Sequence, residues 1–216
     1  MTKESTDIET LLSQLESYKT TILDSSSRLI TAFDRVLYIN DLIFCAVTNR
    51  AVSLIDGFIT LAKKDNYLCA IPLIRLQLDN SLRYYAHYFV EDSEDFFSHF
   101  LSGKPIKEYR SKENIKLSDS YLISQLERKI PGVKKIYKET SNYIHLSDQH
   151  LWVVKHRFNK KDKTAIVNGS CAYFRNSEKI LLINTMMKVS SIVNTFIEDW
   201  HNIKLHKYTE KAIIQH

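Results

Sequence analysis

Between Asn66 and Val90 the chain places Arg75, Asp79, Arg83 and His87 four residues apart inside an otherwise apolar run. Four residues advance an α-helix by about 400°, so such a line drifts only about 40° per step and keeps to one face. The stretch therefore predicts a helix that is apolar around most of its girth and carries one polar stripe. Such a helix is either wetted along the stripe or has a polar site built into the core. If exposed, each i,i+4 pair contributes on the order of 0–1 kcal/mol. If buried, two arginines against one aspartate demand a further acid or a bound anion. Asn66 is placed to cap this helix. Pro72 lacks a backbone donor and predicts either a kink or the helix's true start.

The rest of the chain extends the helical pattern. Helical spacing of apolar residues predicts a first helix over 7–34, weakened by the Thr/Ser-rich 20–27, and a second over 38–64 that is apolar on several sides. The acidic 91–95 opens a short helix ending near Ser102–Gly103, and 104–118 reads as a charged loop. Ser118–Asp119 caps a helix stopped by Pro131–Gly132. Another helix is expected over 132–148 and a last one over 177–205, with 206–216 frayed. Residues 150–170 hold two short β-prone runs around Asn159–Lys163, which predicts a small hairpin or extended flap. With only four glycines and three prolines in 216 residues, disorder and a β-sandwich are unfavoured. The expectation is one all-α domain over 1–216, a bundle of about five to seven helices.

Charge is unevenly spread. Residues 104–138 hold ten Lys/Arg against four acids, a net +6, whereas the whole chain carries +5. Such a segment attracts phosphates or serves as a solubilising surface. The polar start lacks a secretory pattern, no run approaches a membrane span, and Cys45, Cys69 and Cys171 have no C-x-x-C spacing. These readings predict a cytoplasmic protein without a membrane partner. No glycine-rich phosphate loop and no H-E-x-x-H motif occurs, so neither a cofactor nor a metal is expected. The tyrosines and phenylalanine at 84, 85, 88 and 89 read as core packing rather than a stacking platform.

A second polar register lies at Tyr137, Ser141 and His145, with Asp148 following. Ser beside His, with a carboxylate nearby, has the ingredients of nucleophilic catalysis, but side chains in register on one helix run parallel rather than converge. His145 is better read as a partner of the Arg75/Asp79 stripe, either as a hydrogen-bonded core residue or as an acid/base group.

In PLIRLQLDNSLRYYAHYFV and KIYKETSNYIHLSDQH the chain resembles a group of bacterial helical proteins that look like distant relatives of the HEPN superfamily, which includes toxin and abortive-infection ribonucleases. The resemblance spans roughly residues 38–150. It implies a helical bundle, often dimeric, in which Arg75, Asp79 and Arg83 lie near Tyr137, Ser141 and His145. The HEPN ribonuclease motif, Arg and His separated by four to six residues, is absent; Arg83 and His87 are separated by three.

Three functions fit these features. The first is a non-catalytic structural or regulatory module, in a defence or toxin–antitoxin setting. The second is a metal-independent ribonuclease effector, with His145 and Arg75 as its catalytic pair and the basic 104–138 region guiding nucleic acid. The third is a sensor of a small anionic or nucleotide ligand bound by Arg75, Asp79, Arg83, Tyr137, Ser141 and His145.

Overall fold

A computed structural model describes residues 3–35, 37–144, 158–159, 164–165 and 174–214. Among these the chain is an all-α bundle of seven α-helices: α1 (Lys3–Arg35), α2 (Ile39–Lys63), α3 (Tyr67–Tyr85), α4 (Ser93–Leu101), α5 (Asp119–Lys129), α6 (Val133–Ser141) and α7 (Asn176–Ile214). The long helices α1, α2, α3 and α7 pack on one another, α4 lies against α2, and α5 and α6 cover α3.

The core forms because each long helix turns an apolar stripe inward. Leu15, Ile22 and Leu29 of α1, Phe44, Ile55 and Phe58 of α2, Ile74, Leu78 and Leu82 of α3, and Ile183, Val189 and Ile197 of α7 are fully buried. Each contributes about 1.5–3 kcal/mol by leaving water. The Thr/Ser-rich middle of α1 does not break it. Ser25 and Ser26 face the core, and the Thr48 hydroxyl of α2 donates to Ser26, so packing overrides weak propensity. The α2–α3 contact is close at Gly57, where an added Cβ would stand 3.1 Å from Leu73 Cδ1. The aromatic run is core: Tyr84 and Tyr85 are buried, and Tyr85 stacks on Phe196 at 5.3 Å.

Several boundaries differ from expectation. Pro72 does not start α3; the helix begins at Tyr67, capped by the Asn66 side chain accepting from the Cys69 amide, and Pro72 sits inside it. The helix expected over 132–148 ends at Ser141. The last helix does not fray at 206 but runs to Ile214. In the 150–170 segment the described residues are Phe158–Asn159 and Thr164–Ala165, whose two-residue antiparallel pairing is too short to support the hairpin or flap expected there; the rest of that segment lies outside the described residues. Helices α2 and α7 each hold a stretch long and apolar enough to cross a membrane, Asp41–Lys63 and Asn176–His206, where the sequence reading found none. Both stretches supply buried core residues, Phe44 and Phe58 in one, Val189 and Ile197 in the other.

The α5–α6 corner is set by one carboxylate. Gly132 adopts φ 92°, and α6 has no side-chain cap of its own. Glu127 replaces it, accepting from the Gly132 amide at 2.9 Å and the Lys134 amide at 2.7 Å. Those two amides, helped by the Lys134 and Lys188 charges, lower the Glu127 pKa. A pKa lower in the folded than in the unfolded state adds stability above the ordinary carboxylate pKa and loses it as pH falls through the lowered value. Glu127→Ala is therefore expected to reduce hydrogen-exchange protection of the Gly132 and Lys134 amides at neutral pH, and acidification should produce the same loss in the wild type. Equal protection factors in both proteins would remove Glu127 from this role.

Candidate functional site

The polar stripe of α3 faces α5 and α6, so it is built into a helix junction rather than open to water along its length. Asp79 is the first centre. Its Oδ1 lies 2.8 Å from Arg83 Nη2 and 3.6 Å from Arg75 Nη1, and its Oδ2 lies 3.6 Å from Arg50 Nη1. Asp119, the first residue of α5, is the second. Its Oδ1 is 2.9 Å from Arg83 Nη2 and its Oδ2 is 3.6 Å from Arg75 Nη2. The acid that two arginines demanded is therefore a side chain. Sequence reading used Asp119 only as a helix start.

The second polar register completes the junction. Arg75 Nε donates to Ser141 Oγ at 3.2 Å, and the guanidinium carbon stands 3.8 Å over the Tyr137 ring. Tyr137 donates its hydroxyl proton to Asp119 Oδ2 at 3.3 Å. Ser141 donates to the Tyr137 carbonyl at 2.6 Å. Arg75, Asp79, Arg83, Tyr137 and Ser141 thus come together as expected. His145 and Asp148 lie outside the described residues.

His87 leaves the stripe. Helix α3 gives way at Tyr85 to a 3-10 turn over Ala86–Phe89, which adds about 20° per residue. The His87 ring consequently packs edge-on to Trp200 at 5.7 Å.

The chain matches no protein family, no curated protein and no solved structure.

The junction is self-neutralising. Two carboxylates answer Arg75 and Arg83, while Arg50 stands half out at the rim with a 41% exposed side chain. Burial opposes the charge on Arg83, but Asp79 and Asp119 outweigh it and raise its pKa. Arg75 has no such exposure: it is 7% accessible. The Ser141 hydroxyl already gives its proton to a backbone carbonyl and receives a hydrogen bond from a cation, so no base among the described residues is aimed at it. A nucleophilic serine needs the opposite arrangement, with a base taking its proton. Among the described residues no set of three or more His, Cys, Asp or Glu gathers to hold a metal ion.

A second buried polar group was not anticipated. Asp41 and Lys204 are both 0% exposed and pair at 2.9 Å. Asp41 also accepts from the Trp200 indole at 2.7 Å and the Tyr38 amide at 2.9 Å, and Lys204 donates to the Leu29 carbonyl at 3.1 Å. The signal was present in the spacing: Lys204 follows Ile197 and Trp200 by the intervals that keep one helix face inward.

Proposed function

We propose that this chain is a non-catalytic helical module, structural or regulatory in role and working in the cytoplasm, whose Arg/Asp/Tyr/Ser junction locks α3, α5 and α6 together. The observation that carries this reading is the mutual satisfaction of the junction: each arginine of the stripe has carboxylate partners, and Ser141 has its hydrogen-bonding capacity engaged on both sides. Free Cys45 and Cys69 support a reducing compartment. The HEPN-like resemblance supports a defence or toxin–antitoxin setting, in which a non-catalytic relative acts by binding. Dimerisation and contact with nucleic acid through the basic 104–138 region belong to the same proposal.

The test combines stability with activity. Arg75→Ala is expected to lower the melting temperature clearly, while the wild-type protein leaves RNA intact and is harmless on expression. RNA cleavage by the wild type that disappears in His145→Ala at unchanged melting temperature would replace this reading with a HEPN-like, metal-independent ribonuclease.

A further inference from the structure

On the solvent side of the junction, Arg83 and Asp119 form one wall of an open cleft of about 640 Å³, within the roughly 300–1,000 Å³ range of small-molecule sites. Lys104, Lys107 and Phe100 also line it. Against these three cations stands the single Asp119 carboxylate, giving the lining a net +2. Neither lysine has an acidic partner among the described residues, whereas Arg83 Nη2 is shared between Asp79 at 2.8 Å and Asp119 at 2.9 Å. A phosphate monoester carries about two negative charges at neutral pH.

The lysines are not placed on a loose loop. Ile106, between them, is buried. His99 Nε2 lies 3.1 Å from the Pro105 carbonyl, and the Tyr109 hydroxyl donates to Asp95 at 2.6 Å, so both ends of the lysine pair are tied to α4. The hydroxyls of Ser118 and Ser120, hydrogen-bonded to each other at 3.0 Å, lie on the same lining at the start of α5 and leave one O–H to donate. Phe100 adds an apolar face that is 44% exposed.

We infer that this cleft binds a small phosphate monoester carried on an apolar or aromatic body, with Lys104 and Lys107 holding the phosphoryl oxygens and Phe100 packing on the body. The inference deepens the regulatory reading, which it rests on, by naming the class of ligand such a module would sense. Because the segment that carries the lysines is tied to α4, little backbone ordering is needed on binding, which favours affinity.

Calorimetric titration of the full chain tests it, with phenyl phosphate, inorganic phosphate and phenyl sulfate as probes. Phenyl phosphate is expected to bind saturably and more tightly than the other two. The Lys104→Gln/Lys107→Gln protein, altered only at exposed side chains, should lose roughly tenfold or more in affinity at unchanged melting temperature. Phe100→Ser should bring phenyl phosphate down to the affinity of inorganic phosphate. No saturable binding, equal binding of phenyl sulfate, or affinity unmoved in the double-lysine protein would each overturn the inference. None of these outcomes bears on RNA cleavage, so failure here is distinct from failure of the non-catalytic reading.

Discussion

Asp41→Asn is expected to destabilise the protein by about 3–5 kcal/mol, the cost of leaving one member of a buried ion pair without its partner. The substitution keeps the side chain's shape but removes the one negative charge paired with the fully buried Lys204 ammonium, which is left with neutral partners such as the Leu29 carbonyl. A loss of that size is a large fraction of a typical 5–15 kcal/mol total. Urea denaturation at neutral pH measures it, and a loss below about 1 kcal/mol would show that the pair is not a buried ionic contact. The double variant Asp41→Asn/Lys204→Met should recover part of the loss, because it removes the stranded charge instead of leaving it buried and unpaired. Added salt should change little, since screening ions do not reach the pair.

Asp119→Asn is expected to cost less, about 2 kcal/mol, between the values for exposed and buried pairs, and to behave differently toward salt. Its partners are a buried Arg75 and an Arg83 whose side chain is 27% exposed, and Asp119 itself is 31% exposed. Water and ions therefore screen part of the interaction. Without Asp119, Arg50, Arg75 and Arg83 share the single Asp79 carboxylate. A double-mutant cycle with Arg83→Gln should show a coupling of about 1–2 kcal/mol that shrinks as salt is added. Additive losses would mean that the two residues do not act as one network. The contrast between a salt-sensitive junction and a salt-insensitive Asp41–Lys204 pair separates the two polar centres experimentally.

How far the sequence could be read depended on whether a signal was periodic or positional. Apolar spacing exposed the long helices, and the cap signals at Asn66 and Ser118 fell where the side chains accept their amides. The four-residue register brought Arg75, Asp79 and Arg83 onto one face, and the second register found Tyr137 and Ser141. Periodicity speaks only for one helix at a time. It could not show which acid from another element would enter the junction, so Asp119 was seen as a cap alone and Arg50 not at all. His87 was misplaced because a change from α to 3-10 winding leaves no mark in residue spacing. Lys204 was overlooked because lysine at an inward position reads as an interruption of the apolar stripe. Its inward register becomes informative only when Asp41, on a different helix, is known to face it.

The Asp41–Lys204 pair also sets an order of events during synthesis. Asp41 leaves the ribosome long before Lys204, and the carbonyl of Leu29 that shares the ammonium leaves earlier still. Until α7 arrives, the acid at the start of α2 has no cation to accompany it into a dry interior, and an unpaired carboxylate strongly resists such burial. The Asp41 carboxylate is therefore expected to stay hydrated until Lys204 is there to pair with it. Docking of α7, which carries Lys204, is thus the expected step at which the start of α2 can close over its acid.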